Sequence, residues 1–580
     1  MIWKLKEQAP EKFINSFPEY PLAVLNLLYH RGLKTQVQVD EFFNPDYEGD
    51  LHNPFLMLGM KEAVRRIKKA IASQEQIAIF GDYDADGVCG SVVLKTILEK
   101  LGANTTGGVF IPNRLKEGYG LSEVSIKKTI ADGTKLIITV DCGISSIEEI
   151  ALANKLGAEV IITDHHQIGK TLPAAKIIVN PWQAEDKYPF RDLAGAGVIF
   201  KLVQALISES ETVNTGWEKW LLDLVALATV ADCMPLLGEN RTLVRYGLIV
   251  LAQTKRPGLQ ELMKVARLSP IFEIEKLSTN LDAYSLGFVL APRLNAAGRI
   301  EHADLALDLL LTSDREKAKE MAEKINDYNR RRQKITDEIV TEIESKIKQK
   351  ISDKQSPFII ESSKEWSPGI IGLVAGKIAD RHHRPTMIFN EQETGIFRGS
   401  ARSVAGFNLV EAITMCQDLL IEFGGHPGAA GLSLREEDFI KFKEKINKIA
   451  CAKLTDKDLT PVLEIDAQLQ AEDISWPLFD ELIKFEPFGK GNEAPIFLAE
   501  DFIIVALRIV GNGSKHLKLE LKSNKLSGTI FKAIGFGLVK DNQTEFKVGD
   551  DVDLVFEIIK DEWNGRRDLQ LRVEDIKKRE

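Results

Sequence analysis

Short apolar runs alternate with amphipathic segments between residues 61 and 235. The runs that look most like buried parallel strands are 77–80, 136–140 and 160–163. Residues 61–73 and 91–101 instead have the periodicity of amphipathic helices. This alternation predicts an α/β fold built on a doubly wound parallel sheet, and residues 236–311 are then mainly helical.

The pattern changes three times after residue 311. A long charged segment without Gly or Pro predicts one extended helix that joins two domains. A second α/β pattern follows it, and short alternating stretches then predict a small β-barrel of the OB-fold type. The chain is therefore expected to contain a lead-in, an α/β domain, a connecting helix, a second α/β domain and a barrel, at residues 1–60, 61–311, 312–350, 351–455 and 460–580.

Composition places the chain among ordinary globular proteins. It has 580 residues, of which 44% are hydrophobic and 28% charged, and no apolar stretch is long enough to span a membrane. Its five cysteines lack paired spacing, and its start lacks the apolar core of a signal peptide, so we expect a reducing cytoplasm. The net charge of −10 neither favours nor excludes a nucleic-acid partner, because a local groove can differ from the whole surface.

Acidic and histidine motifs stand at four separated places. They are Asp82-Tyr83-Asp84-Ala85-Asp86-Gly87, Asp141-Cys142-Gly143, Asp164-His165-His166 and Ala231-Asp232-Cys233. The first three closely follow strand-like runs, and the carboxyl ends of parallel strands meet at one edge of a sheet. Carboxylates gathered there repel one another unless cations lie among them. The pattern predicts a hydrolytic site with two divalent ions, in which Asp141 is the candidate bridging ligand.

The first motif also matches the opening of an EF-hand calcium loop. The twelfth position of such a loop requires a bidentate Glu, but Val93 stands there, and residues 77–80 are strand-like rather than helical. The EF-hand interpretation therefore fails. A second histidine pair, His382-His383, follows no apolar run and is interpreted as a surface or domain contact.

The four motifs in this order resemble those of the DHH phosphoesterases, and later segments narrow the resemblance to RecJ-type exonucleases. These segments are Pro112-Asn113-Arg114, Gly118-Tyr119-Gly120-Leu121, Leu294-Asn295-Ala296-Ala297-Gly298-Arg299, Arg398-Gly399-Ser400-Ala401-Arg402-Ser403, Gly424-Gly425-His426 through Gly431, Pro487-Phe488-Gly489-Lys490-Gly491-Asn492 and Trp563-Asn564-Gly565-Arg566-Arg567. The resemblance implies a parallel-sheet DHH domain, a DHHA1 domain and a C-terminal OB-fold.

The resemblance also implies roles for the residues of the four motifs. The implied metal ligands are Asp84, Asp86, Asp141, His165 and Asp232, with Asp82 a ligand or a neighbour that supports one. His166 would contact the scissile phosphate and Asp164 would orient the site. The implied cofactors are two Mn²⁺ or Mg²⁺ ions. Several superfamily members have a ligating His where Phe80 stands, so one ion is expected to be weakly held or recruited by substrate.

Substrate-binding residues are implied outside the four motifs. Ser400 and Arg402, with Arg114, resemble a pocket for a 5′-terminal phosphate, a role that suits the planar guanidinium group. Gly425 and His426 resemble the DHHA1 substrate-binding motif, although a strand-to-helix turn is the alternative, and Arg299 is a further candidate. The run 330–332 could bind phosphate or be solvated. Ser367 replaces the family's usual His after Trp366.

The activity that this resemblance implies is a metal-dependent 5′→3′ exonuclease that hydrolyses single-stranded DNA to 5′-mononucleotides in recombination and repair. The implied partners are single-stranded DNA, a single-strand-binding protein and a helicase, with a monomeric enzyme and no membrane. Two alternatives stay open. One is a DHH phosphodiesterase that acts on short oligonucleotides or cyclic dinucleotides, and the other is a non-enzymatic scaffold with the same fold.

Overall fold

The structure is a computed structural model that describes residues 1–114, 120–351, 357–511, 513–526, 528–539, 543–561 and 567–579. Gly118, Tyr119 and the segment 563–566, quoted above for the resemblance, lie outside these residues. The chain forms two compact units. The barrel unit contains residues 1–46, 235–237 and 462–580, and the α/β unit contains residues 47–234 and 238–461.

The strands and helices of the described residues are numbered in chain order. The strands are β1 (Ile2–Leu5), β2 (Ile77–Gly81), β3 (Val109–Phe110), β4 (Leu136–Val140), β5 (Glu159–Thr163), β6 (Ile177–Val179), β7 (Phe272–Glu273), β8 (Ser278–Thr279), β9 (Ile359–Ser363), β10 (Thr386–Glu391), β11 (Ile396–Arg402), β12 (Glu422–His426), β13 (Ala429–Arg435), β14 (Val462–Ile465), β15 (Ala467–Gln468), β16 (Phe497–Val510), β17 (His516–Ser523), β18 (Ile530–Gly535), β19 (Asp551–Asp561) and β20 (Asp568–Lys578). The α-helices are α1 (Glu11–Ile14), α2 (Leu22–His30), α3 (Gln36–Phe43), α4 (Met60–Ala72), α5 (Ala85–Lys100), α6 (Glu123–Ala131), α7 (Ile147–Lys155), α8 (Gly195–Ser208), α9 (Leu222–Ala231), α10 (Gly238–Ala252), α11 (Pro257–Val265), α12 (Ala291–Ile300), α13 (Asp304–Leu311), α14 (Arg315–Ile351), α15 (Ile371–His382), α16 (Leu409–Thr414), α17 (Glu436–Lys453) and α18 (Trp476–Leu482).

The first sheet of the α/β unit is parallel, as predicted. Its strand order is β3-β2-β4-β5-β6. Every residue of β2 and β4 is buried, which explains why these strands appear in the sequence as unbroken apolar runs. β2, β4 and β5 are adjacent, so the residues that follow them meet at one edge of the sheet.

The second sheet has the order β12-β13-β11-β10-β9, in which only β9 and β10 pair in parallel among the described pairs. The 37-residue helix α14 leads into it, and a helix of that length extends about 55 Å. Near its end, Glu342 accepts a hydrogen bond from the Trp366 indole at 3.0 Å, and Glu344 contacts His382 at 3.1 Å. α14 is therefore packed against the second domain as well as joined to it, and His382 serves as a domain contact.

The barrel unit is a closed barrel, which confirms the C-terminal prediction. Its ring runs β16-β17-β18-β20-β19, and pairing of β19 with β16 closes it. The first 46 residues belong to this unit rather than forming a separate lead-in: β1 pairs with β14, and Phe13, Phe42 and Phe43 share the barrel's core. A segment this short cannot bury such aromatic side chains by itself. None of the helices in the described ranges is long and apolar enough to cross a bilayer.

Candidate active site

The turn after β2 begins the site, and helix α5 starts inside it. The Asp84 side chain caps α5 by accepting hydrogen bonds from the backbone N–H groups of Asp86 at 2.9 Å and Gly87 at 3.2 Å. A Cβ at Gly87 would lie 2.5 Å from the backbone of Asp82, so a glycine is required there. The cap and this close approach hold three carboxylates in one short turn.

Asp86 is buried against the N-terminus of α8. Its two carboxylate oxygens accept hydrogen bonds from the backbone N–H groups of Gly195 and Ala196, both at 2.7 Å. These N–H groups and the helix dipole favour a negative charge. Burial and the neighbouring Asp84 nevertheless outweigh them and raise the pKa of Asp86 to about 7.

Asp141 follows β4 in a left-handed backbone conformation, with φ = 60°. This conformation is costly for a residue other than glycine and is typically maintained by the surrounding structure at functional sites. A Cβ at Gly195 would approach the Cβ of Asp141 to 2.5 Å, so glycine makes room for this carboxylate. Burial, followed by the charges of Asp86 and Asp84, raises the pKa of Asp141 well above its usual value.

His165 lies among the carboxylates. Its Nε2 atom is 3.1 Å from Asp141 Oδ1, 3.5 Å from Asp232 Oδ2 and 3.8 Å from Asp86 Oδ2. Burial, together with the charge of His166, lowers the pKa of His165 to about 4. The ring is therefore neutral at physiological pH, which is the form that binds metals.

His166 differs from His165 in protonation because its ring is hydrogen-bonded to Asp164. Asp164 Oδ1 accepts from His166 Nδ1 at 2.7 Å and from two backbone N–H groups, while Oδ2 accepts from Ile144 N at 3.0 Å. Burial lowers the pKa of His166, but the bond to Asp164 outweighs it and raises that pKa to about 9. Burial raises the pKa of Asp164, but the hydrogen bond with His166 and the charge of that ring outweigh burial and lower it. His166 is thus a cation with an exposed edge.

These side chains have the composition and spacing of a site for divalent cations. The ligand atoms of three groups lie within 4.8 Å of one another: Asp82, Asp84 and Asp141; Asp86, His165 and Asp232; and Asp141, His165 and His166. Asp82 Oδ1 and His165 Nε2 are buried without a hydrogen-bond partner in the described part of the chain. Oxygen and imidazole donors that would otherwise be buried and unsatisfied fit a divalent ion well.

Asp141 and Phe80 both affect how two cations would be bound in this cluster. Asp141 belongs to a group with Asp82 and Asp84 and to another with His165, as a bridging ligand would. Phe80 is buried and stacks on Phe110 with ring centroids 5.0 Å apart. An aromatic ring has no metal-binding atom, so position 80 provides no ligand to the cluster.

Arginines gather beside the carboxylates. The Arg114 guanidinium lies 4.5 Å above the Tyr83 ring, next to the first motif. Arg402 Nη1 lies 3.4 Å from Ser400 Oγ, and burial followed by the charge of Arg114 lowers the pKa of Arg402. Arg299 Nη1 donates to the carbonyl of Gly369 at 3.1 Å. The structure therefore brings Arg114, Ser400 and Arg402, the predicted pocket for a terminal phosphate, close to one another.

Gly425 and His426 lie on a hairpin rather than at a strand-to-helix turn. β12 pairs with β13 so that Gly425 faces Ala430, and all residues of β12 are exposed. Gly425 has φ = 148°, and a Cβ there would lie 2.3 Å from the carbonyl oxygen of Ala429. The hairpin thus presents both residues at an exposed sheet edge, outside the buried carboxylate cluster.

Sequence reasoning missed several supporting residues. Asn295 accepts a hydrogen bond from Ala85 N at 2.7 Å, and Gly195 and Ala196 hold Asp86. The run of small residues from 194 to 197, just before an apolar helix, is the signal that could have identified that helix N-terminus.

Comparison with known proteins identifies first the domains of this chain and then the family to which it belongs. Sequence profiles match the DHH family N-terminal domain over residues 76–229, the DHHA1 domain over 355–451 and the RecJ OB domain over 465–575. A single-stranded-DNA-specific exonuclease RecJ from Bacillus subtilis is 39% identical over 99% of this chain and 70% of its own length. The RecJ of Haemophilus influenzae is 32% identical over 97% of each chain.

A solved structure extends the similarity to the fold. The crystal structure of RecJ in complex with Mn²⁺ from Thermus thermophilus superposes with a TM-score of 0.82 at 28% identity, covering 100% of this chain and 80% of that one. This chain therefore belongs to the RecJ family of single-stranded-DNA-specific exonucleases.

Proposed function

We propose that the protein is a metal-dependent 5′→3′ exonuclease that releases 5′-mononucleotides from single-stranded DNA. The observation that carries this proposal is the juxtaposition of two sites. A buried carboxylate–histidine cluster suited to divalent ions lies next to Arg114, which stacks on Tyr83 of the first motif, and Arg114 in turn lies near Arg402. The RecJ relatives, which include structures with Mn²⁺ and Mg²⁺, support the same reaction.

We infer that Asp82, Asp84, Asp86, Asp141, His165 and Asp232 hold Mn²⁺ or Mg²⁺. When bound, such ions lower the pKa of an adjacent water and stabilise charge on phosphate oxygens. His166 would donate a hydrogen bond to a non-bridging oxygen of the scissile phosphate, and its pKa of about 9 keeps it protonated for that purpose. Asp164 fixes the orientation of that ring.

Polarity would follow from the phosphate pocket. Arg114, Ser400 and Arg402 would bind the 5′-terminal phosphate, Arg299 would add positive charge, and the Gly425–His426 hairpin would approach the strand from the second domain. With the terminal phosphate docked, the next phosphodiester linkage would lie at the carboxylate cluster. A nucleotide would thus leave from the 5′ end in each cycle.

Cleavage of an end-labelled single strand tests the proposal. With Mn²⁺ or Mg²⁺ we expect a 5′ label to appear first as a mononucleotide, whereas a 3′ label remains on progressively shorter strands. Chelation should stop the reaction, and a blunt duplex should resist it. Release of the 3′ label first, or preference for di- and trinucleotides over long strands, would contradict the proposed activity.

Binding of a metal should stabilise the folded protein. Burial and mutual repulsion raise the pKa values of Asp82, Asp86 and Asp141, so their ionised forms cost folding free energy at neutral pH. A bound cation offsets that repulsion, and at 100 times its Kd it adds about 2.7 kcal/mol. We therefore expect the melting temperature to rise with Mn²⁺ and fall again with EDTA. An unchanged melting temperature would count against a metal site.

The proposed cellular role is recombination and repair of DNA in the cytoplasm. We propose that a monomer acts on single strands exposed by a helicase and coated by a single-strand-binding protein. The barrel unit supports this proposal, because its matched OB domain is a type of fold that commonly binds single strands.

A further inference from the structure

An exposed pair of aromatic rings stands apart from the site described above. Tyr284 and Phe288 are 63% and 72% exposed, and their rings are nearly parallel, at 16°, with centroids 5.1 Å apart. Scattered exposed apolar residues are ordinary, but two large stacked rings form a flat surface that water solvates poorly. Such a surface is suited to stacking against another flat ring.

The backbone beneath these rings is fixed. It forms a π-helical segment, Ser285–Leu290, in which Ala291 N donates to the carbonyl of Leu286, five residues back. Asp282 anchors its start by accepting from Ser285 N at 2.8 Å and Ser285 Oγ at 2.6 Å. Leu286 and Leu290 are fully buried on the opposite side. The rings are therefore presented on a rigid support, and π-helical turns are frequent at functional sites.

Arginines adjoin this support. Arg293 Nη1 donates at 2.6 Å to the carbonyl of Val289, the residue after Phe288, and its Nε donates to Asn326 of α14 at 3.1 Å. Burial, followed by the charge of Arg330, lowers the pKa of Arg293. Arg330 is an exposed residue of α14 whose ion pair with Asp327, at 3.6 Å, is solvated and can be exchanged for a phosphate. Within the described residues, no carboxylate lies within salt-bridge distance of Arg293. Its charge is oriented by amide and carbonyl groups and remains available to an anion.

These arginines continue those of the proposed phosphate pocket. Arg299 lies close to both Arg114 and Arg332, and Arg332 lies close to Arg293, since each charge lowers the pKa of its neighbour in addition to burial. Arg332 Nη2 bonds to Asn329 at 2.8 Å, while its buried Nε has no partner among the described residues. Asp327 and Asp337 offset part of this charge on α14, and a phosphate backbone would offset the repulsion between the arginines further. Arg293 lies nearest the ring pair, since its Nη1 bonds to the carbonyl of Val289.

We propose that Tyr284 and Phe288 are a base-stacking platform for nucleotides of the single strand that lie beyond the catalytic residues, and that Arg293 and Arg330 bind the phosphates of those nucleotides. This inference rests on the proposed function, because it extends the path of the same substrate. The row of arginines favours nucleic acid over an apolar peptide, which would need no such charge. Stacking on aromatic rings is also tolerant of sequence, as a nuclease that degrades any strand requires.

A double substitution, Tyr284→Leu with Phe288→Leu, tests the platform. Leucine keeps an apolar surface of similar size but removes the ring faces, and the matched control, Tyr284→Phe with Phe288→Tyr, keeps both rings. We expect the leucine variant to bind a long single strand about 10- to 100-fold more weakly and the control to bind as the unmodified protein does. A 5′-phosphorylated trinucleotide has few nucleotides beyond the scissile linkage, so the leucine variant should lose less in its cleavage than in its binding of a long strand.

A strand with abasic positions separates base stacking from phosphate binding. Abasic sites should weaken binding to the unmodified protein, whereas the leucine variant should no longer distinguish the abasic strand from the normal one. If the leucine variant binds long strands normally, the platform is overturned, and an apolar protein contact becomes the explanation of the exposed rings. Failure of the unmodified protein to cleave any single strand would instead overturn the proposed function.

Discussion

The substitution Asp141→Asn is expected to lower the rate of strand hydrolysis about 10³-fold, the upper end of what one preorganised electrostatic group contributes. Asp141 belongs to two of the three groups of possible metal ligands, and its Oδ1 lies 3.1 Å from His165. An amide of nearly the same shape keeps the packing against Gly195 but removes the negative charge. The rate should be measured on a 5′-phosphorylated single strand at saturating Mn²⁺.

Thermal unfolding distinguishes lost chemistry from lost folding in this variant. Because folding raises the pKa of Asp141, the ionised side chain destabilises the folded protein at every pH above the ordinary pKa of an aspartate. Without metal, the Asn variant should therefore melt at a higher temperature. It should also lose much of the stabilisation by Mn²⁺. Asp223→Asn is the matched control: burial raises the pKa of this carboxylate too, but it bonds to Thr254 at 2.7 Å and belongs to none of the three groups of possible metal ligands, so kcat and the stabilisation by Mn²⁺ should stay unchanged. A fully active Asp141→Asn enzyme would refute the assignment.

The substitution Arg402→Ala is expected to reduce cleavage of a 5′-phosphorylated strand about 10- to 100-fold, because a hydrogen bond to a charged group contributes about 1.5–3 kcal/mol. A strand with a 5′-hydroxyl lacks the phosphate that Arg402 would bind, so its slower cleavage should change little. The measurement is therefore the ratio of kcat/KM for the two strands, which should collapse towards one. A ratio that stays unchanged would show that the terminal phosphate binds elsewhere.

Arg398→Ala is the control for this experiment. Arg398 lies on the same strand, β11, and on the same face as Arg402, but four residues away, or about 13 Å. Removing it changes the net charge by the same amount. Equal losses in the two variants would indicate a general electrostatic effect rather than a pocket at Ser400 and Arg402.

The sequence predicted the parallel sheet and the edge at which its acidic residues meet, because short unbroken apolar runs that alternate with amphipathic segments are typical of strands buried on both faces. It also predicted the long helix and the closed barrel. It failed at the N-terminus, where Phe13, Phe42 and Phe43 gave no indication of their partner, since the core they join is formed by residues more than 400 positions away. Hydrophobic periodicity reports which face is buried and not what covers it.

The site was predictable to a similar degree. The carboxylates and histidines were named from their motifs, but the contrast between His165 and His166 depends on Asp164, whose two oxygens reach three backbone N–H groups and one ring. Adjacent identical residues cannot be assigned opposite protonation states from sequence alone. The exposed rings of Tyr284 and Phe288 were also missed, because an apolar pair spaced by four residues ordinarily indicates a buried helix face.

Helix α14 places an unusual constraint on how this protein can change over generations. Asn326, in its N-terminal half, accepts a hydrogen bond from Arg293 of helix α12, while Glu342 and Glu344 contact the second α/β domain. One added or deleted residue between them would turn one domain by about 100° relative to the other. The exposed charged residues of this part of α14 can be substituted freely, but the number of residues in it cannot change. We therefore expect substitutions to accumulate there in related genes, and insertions and deletions to be eliminated.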